Sequence, residues 1–228
     1  MSRGGRAVVD LLFPRRCVGC GKTGDFLCSR CLSSLPCLGE VCPRCGRPQA
    51  GGNLCPGCWV WQNEIDGIRS VFRFDGAVRK AIHQFKYDSL KALAGPLALL
   101  LAGYLKSKPL PVEVLVPVPL HLHRLKERGY NQSALLARET GKLTSLPVIE
   151  DTLRRLKDSP RQARSASVAE RRRNVVGAFR CTGSGLAGKR TLLIDDVCTS
   201  GATLEACAAA AKDAGAASVW GLTVAREA

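Results

Sequence analysis

The 228-residue chain is short of acidic residues, aromatic rings and long apolar runs, and each shortage narrows what it can do. Nineteen acidic residues face 34 basic ones, giving a formal net charge of +15 and a pI near 9.6, a balance that favours polyanionic partners. Phe, Trp and Tyr supply only 5% of residues, which argues against a platform of many rings for stacking nucleic-acid bases. Two apolar runs invite a membrane reading and neither suffices. Residues 7–13 are too few for a secretory signal and are broken by Asp10, and residues 97–105 lie between Lys91 and Lys106, far short of a span. The expectation is a cytoplasmic protein without membrane insertion. Histidine is scarce as well, and His121 and His123, lacking partners at ligand spacing, read as surface residues.

Cysteine is present in excess. Nine of the twelve fall between Cys17 and Cys58, and eight of these form four CxxC knuckles: Cys17 with Cys20, Cys28 with Cys31, Cys42 with Cys45, and Cys55 with Cys58. That spacing lets two thiolates reach one tetrahedral ion, while Gly19, Gly21, Gly46 and Gly57 permit the tight turns that aim amides at sulfur. Segments this short bury too little apolar surface to fold without a staple, so two structural zinc ions are expected. A disulfide framework is the alternative, disfavoured by the missing secretory signal. Spacers of seven and nine residues favour neighbouring pairing, Cys17/20/28/31 for one ion and Cys42/45/55/58 for the other, with a crossed arrangement left open. Cys37 is a spare thiol or a replacement for a knuckle member.

Two units follow: a metal-stapled module over 1–63 and a larger domain over 64–228 with its own core. In the larger one, strand-like runs at 71–74, 114–118, 175–180, 191–194 and 218–224 alternate with helical patterns at 77–87, 90–105, 132–143 and 202–214. Such alternation predicts a doubly wound, mostly parallel α/β sheet with ligands at the carboxyl ends of its strands. The densest chemistry sits at one such end. Leu192, Leu193 and Ile194 form an apolar run whose polarity switches at Asp195 and Asp196, which marks the expected strand end. Val197 and Cys198 lead into Thr199, Ser200, Gly201, Ala202 and Thr203, where hydroxyls surround a glycine ahead of a helix. A helix start presents free N–H groups and a positive dipole end, so an anion such as a phosphate suits residues 199–203. The paired carboxylates would then accept from a ribose diol or meet a magnesium hydration shell.

Two basic segments complete the pattern. Pro117 and Pro119 end a buried strand, and His121, His123, Arg124, Lys126 and Arg128 follow, either a solvated loop or cations that receive pyrophosphate. Residues 153–174 carry Arg154, Arg155, Lys157, Arg161, Arg164, Arg171, Arg172 and Arg173 against Asp158 and Glu170, a composition not expected to pack. Cations there suit a loop closing over pyrophosphate or the backbone of a nucleic acid.

The segment from residue 191 resembles the fingerprint of type I phosphoribosyltransferases, in which an apolar strand, two acidic residues and a Thr/Ser-Gly-x-Thr loop hold phosphoribosyl pyrophosphate. That resemblance implies Asp195 and Asp196 at the ribose and residues 197–203 around the 5-phosphate. End to end, the chain resembles the ComF family of double-zinc-ribbon, phosphoribosyltransferase-like proteins linked to bacterial competence. The carriers are VVDLLFPRRCVGC, CPRCG, HQFKYDS, VPVPLHLHRLKERGYNQ, ERRRNVVGAF and LIDDVCTSGAT. The resemblance implies a zinc module, a type I phosphoribosyltransferase domain, magnesium with the substrate, and a role in DNA uptake beside a helicase-like partner. Amidophosphoribosyltransferases use an N-terminal cysteine nucleophile for glutamine hydrolysis; here the chain opens Met1, Ser2, so glutaminase activity is not expected. Two functions stay open. One is phosphoribosyl transfer; the other is a binding protein that senses a phosphoribosyl ligand while its zinc module and positive charge engage single-stranded DNA or a partner protein.

Overall fold

The computed structural model describes residues 14–59, 64–87, 90–158 and 175–227. Two short helices, α1 (Ser29–Ser33) and α2 (Pro56–Trp59), belong to the cysteine-rich module. Beyond it, in chain order, come β1 (Gly67–Arg73), α3 (Gly76–Tyr87), α4 (Ala94–Ser107), β2 (Val114–Pro117), α5 (Leu122–Arg128), α6 (Gln132–Thr144), β3 (Leu153–Arg155), β4 (Phe179–Cys181), β5 (Arg190–Cys198), α7 (Ala202–Asp213) and β6 (Ser218–Arg226). β1, β6, β5 and β2 pair in that order into a fully parallel sheet, and β3 with β4 forms a separate antiparallel pair.

Burial on both faces explains the apolar runs. Leu193 packs on one side with Leu204, Cys207, Ala208 and Ala211 of α7 and with Leu153 and Phe179 of the β3–β4 pair. Leu192 and Ile194 point the other way, into Val78, Ile82 and Phe85 of α3, Leu97 and Leu101 of α4, and Leu136 of α6. Removing such a side chain from water stabilises by roughly 1.5–3 kcal/mol. Leu27 and Leu35 of the cysteine-rich module join this second cluster, so the module and the sheet share one apolar contact region. Helices thus cover both faces, and the doubly wound α/β sheet is what the structure shows.

Four local expectations are corrected. β5 does not end at Ile194; it runs through both aspartates to Cys198, because β6 continues the ladder as far as Cys198 opposite Arg226. The basic stretch after Pro119 is a helix, α5, closed by Gly129 in the left-handed region (φ 76°), where glycine carries no Cβ penalty. Leu153, Arg154 and Arg155 do pack, as β3, since Leu153 is buried against the sheet's outer face. The expected strand at 175–180 is displaced to Phe179–Cys181, in register with β3, after a turn at 175–177. Arg161, Arg164, Arg171, Arg172 and Arg173 lie outside the described residues.

Candidate functional site

The carboxyl ends of β5 and β6 gather the chemistry. Asp195 is half-buried and Asp196 is only 4% exposed. Asp196 Oδ1 meets the ammonium of Lys86, from α3, at 2.7 Å. Asp195 Oδ1 accepts a hydrogen bond from Ser133 Oγ, at the start of α6, at 2.8 Å, and another from the backbone N–H of Asp196 at 2.9 Å. Burial, then the adjacent charge of Asp196, pushes the Asp195 carboxyl up to about 6, while Lys86 and Ser133 pull against that rise. The two acids are therefore held differently. Asp196 is neutralised by a cation, whereas Asp195 takes its partners from a hydroxyl and an amide and titrates near neutrality.

Residues 199–203 turn directly off β5. Thr199 is exposed, Ser200 and Thr203 are half-buried, and Ala202 and Cys198 are buried. Gly201 caps α7 with φ 84°, and a β-carbon there would come within 3.1 Å of Ile68 Cδ1. Only glycine meets both demands without strain. Among the described residues, no side chain caps the α7 amides beyond a long contact, 3.4 Å, from Ala202 N–H to Ser200 Oγ. A helix start with unsatisfied N–H groups beside hydroxyls is a physically sound anion cradle.

Arg155 of β3 lies within electrostatic reach of Asp195, and Arg124 of α5 lies within reach of Arg155. Burial, then the like charge of Arg124, holds Arg155 below the usual guanidinium range, and Asp195 is among the groups pulling the other way. Asp158 bridges to His121 (3.6 Å), His123 (3.5 Å) and Arg124 (3.7 Å), so the two histidines face a carboxylate on the surface.

In the N-terminal module the thiols of Cys17, Cys20, Cys28 and Cys31 lie together, and so do those of Cys42, Cys45, Cys55 and Cys58; within each group every Sγ is within 4.8 Å of the others. All twelve cysteines are free thiols. Four sulfurs about 2.3 Å from one zinc stand roughly 3.8 Å apart. The observed Cys20–Cys28 and Cys45–Cys55 separations are 3.7 and 3.6 Å, which fits that ion. Amides support the sulfurs as well, Cys28 N–H to Cys17 Sγ and Cys55 N–H to Cys42 Sγ, each at 3.4 Å. Burial opposes charge on Cys17 and Cys42, yet amide donors outweigh it and lower both to about 6. Cys37 is exposed and belongs to neither group; its backbone bridges instead to Phe72 of β1.

A family model described as a double zinc ribbon domain matches residues 8–59. Over the whole chain, competence protein ComFC of Bacillus subtilis is 31% identical across 217 residues, 90% of this chain and 86% of that protein. The chain belongs to the ComF family. Competence protein F of Haemophilus influenzae is 28% identical over 92% of this chain and 97% of its own length, and the DNA utilization protein YhgH of Salmonella typhi is 30% identical over 78% and 80%. Among solved structures, the chain is similar to a glutamine phosphoribosylpyrophosphate amidotransferase from B. subtilis (TM-score 0.40, 19% identity, 57% of this chain but 26% of that one). It is also similar to a hypoxanthine phosphoribosyltransferase from Trypanosoma cruzi (TM-score 0.33, 17% identity, 58% and 64%).

Sequence alone assigns no role to Lys86 or Ser133, whereas Arg155 belongs to the basic segment expected near pyrophosphate. Lys86 sits inside the HQFKYDS run, and Ser133 directly follows the GYNQ tetrad.

Proposed function

We propose that this ComF protein binds phosphoribosyl pyrophosphate with magnesium at the carboxyl end of β5 and transfers its phosphoribosyl group. Asp195 and Asp196 would hold the ribose diol and reach the hydration shell of magnesium, while Val197, Cys198, Thr199, Ser200, Gly201, Ala202 and Thr203 wrap the 5-phosphate. The observation that carries this reading is the direct passage from two buried-strand carboxylates to a glycine-capped helix start within six residues. Arg124 and Arg155 supply positive charge where pyrophosphate would depart, which stabilises developing negative charge. When bound, magnesium would neutralise the pyrophosphate. Cys17, Cys20, Cys28 and Cys31 ligate one structural zinc in this reading, and Cys42, Cys45, Cys55 and Cys58 the other.

The incubation of protein, phosphoribosyl pyrophosphate and magnesium with a panel of nucleobases tests it. Base-dependent pyrophosphate release is expected; tight binding without release from any base would leave a ligand-sensing protein instead. The ion pair between Lys86 and Asp196 favours that second reading, since it uses one acid for internal neutralisation. Membership of a family named for competence and DNA utilization supports work beside single-stranded DNA, in the cytoplasm, with a competence helicase as partner.

A further inference from the structure

Arg226, the last residue of β6, is 1% exposed and heads the largest fully buried side chains among the described residues. Its Nη1 donates to the carbonyl of Cys45 at 2.7 Å and to the sulfur of Cys198 at 3.0 Å. Its Nε has no partner among the described residues. Burying a guanidinium costs several kcal/mol unless its donors are met, and an apolar side chain of similar length would fill the same volume more cheaply. Packing alone does not account for an arginine here.

What Arg226 joins is informative. Cys45 closes the knuckle of the second four-cysteine group, and three successive carbonyls of that knuckle accept from the sheet: Pro43 from Arg69 Nη1 at 2.8 Å, Arg44 from Ile68 N–H at 2.7 Å, and Cys45 from Arg226. Gly46 lies so close to the Ile68 carbonyl that a β-carbon would collide with it. On the other side, Cys198 pairs with Arg226 across the ladder and directly precedes Thr199, and the space above Gly201 is filled by Ile68 Cδ1 with Cys198 Sγ behind it. Ile68 thus touches the knuckle with its backbone and Gly201 with its side chain, while Arg226 joins the knuckle to Cys198, the residue that leads into the 199–203 loop.

We propose that Arg226 is a positioning residue that couples the metal state of the Cys42/45/55/58 cluster to the shape of the 199–203 loop, so that loss of that ion weakens ligand binding at a site the metal never touches. With the ion in place the Cys42–Cys45 turn is fixed and holds the Cys45 carbonyl on the guanidinium. Without it the carbonyl is released, and a guanidinium still buried re-aims toward other acceptors and draws Cys198 with it. The ligand half rests on the phosphoribosyl reading above; the loop half does not. Coupling is reciprocal, so a ligand that orders the loop must also retain the ion.

Hydrogen exchange on the full zinc-loaded chain decides the loop half. In Cys42→Ser and Arg226→Met, amides at 198–203 are expected to exchange about tenfold faster or more, with Arg226→Met still holding two zinc ions and Cys17→Ser leaving the loop unchanged. Should Arg226→Met not fold by circular dichroism, Cys198→Ala, which removes one acceptor, takes its place beside Cys42→Ser. Parent-like exchange in these variants overturns the coupling. In a second arm, zinc transfer from the Cys17→Ser protein to a chromophoric chelator is timed with and without phosphoribosyl pyrophosphate. Slower release with ligand, lost in the Cys17→Ser/Arg226→Met double variant, is expected, and equal rates in the presence of bound ligand overturn it. A parent that never binds the ligand removes the proposed function, while the exchange result still decides the coupling.

Discussion

The ammonium of Lys86 stands 2.7 Å from Oδ1 of Asp196, with 23% of the lysine side chain and 6% of the aspartate side chain exposed. A buried carboxylate next to a second one is tolerable because a cation from a different layer of the fold reaches it. Replacing Lys86 by Met leaves Asp196 uncompensated, and stability is expected to fall by roughly 2 to 3 kcal/mol, somewhat less than for a fully buried pair. Asp196→Asn keeps the shape and should cost less stability, yet weaken phosphoribosyl pyrophosphate by about 1 to 3 kcal/mol. Calorimetry beside a denaturant titration separates the two effects, and a variant that folds and binds like the parent would remove Asp196 from the site.

Asp195 should make binding proton-linked. Its carboxyl is raised to about 6, so it is neutral below that pH and charged above it. If the ligand needs the carboxylate, affinity should be level above pH 7 and fall as pH drops through 6, and Asp195→Asn should abolish that inflection. The stability effect has the opposite sense. A raised carboxyl favours the folded state at low pH, where it is protonated in the fold, and that contribution is lost as pH rises through the folded value. Asp195→Asn should therefore raise Tm relative to the parent at pH 7.5 and much less at about pH 3.5, below the ordinary carboxyl value of 3.8. A benefit of equal size at both pH values would show that charge is not the cause.

Metal analysis should find two zinc ions per chain. Cys42→Ser and Cys17→Ser should each remove one and leave the other, because the two groups of sulfurs are separate. Loss of both ions from either variant would mean shared ligands.

Gly201 is a structural requirement before it is a ligand contact. With φ 84° and Ile68 Cδ1 at 3.1 Å from a would-be β-carbon, Gly201→Ala is expected to cost about 1 kcal/mol or more in stability and Gly201→Val several times that. Ligand loss in Gly201→Val accordingly has to be read against its Tm, and Thr199→Val, at an exposed position, is the cleaner probe of the 5-phosphate.

The basic segment predicts a salt signature. If Arg171, Arg172 and Arg173 contact phosphates of single-stranded DNA, affinity should fall steeply with salt and depend little on sequence, and neutralising all three should flatten the slope. An unchanged slope returns them to solvent.

Much of this was legible along the chain. The knuckle spacing named all eight clustered cysteines, and the apolar run at 192–194 with the Gly201 turn located the carboxyl end where the candidate site lies. Except at α5, which an adjacent glycine closes, the misses share a cause, since each was decided by a partner distant in sequence. Polarity at Asp195 signals a strand end locally, but β6 supplies a ladder to Cys198 and keeps the strand going. Basic residues at 122–128 carry no apolar stripe, yet Gly129 closes them as a helix. Nothing near Lys86 or Arg226 in the chain announces that their charges end inside the protein, one on Asp196 and one on Cys45 and Cys198.

β6 is last in chain order and yet lies between β1 and β5, and it is the strand through which β1 joins the sheet. Chain order therefore imposes an order of assembly. The two cysteine clusters close over fewer than twenty residues each and can take up metal early, from local contacts alone. β1 must wait, about 150 residues of sequence away from the strand that completes it, a separation that slows folding through loop-closure entropy. Refolding should accordingly show rapid zinc uptake followed by a slower burial of Trp220, the tryptophan on β6, and the unpaired edge of β1 is where a nascent chain is most exposed to association with its neighbours.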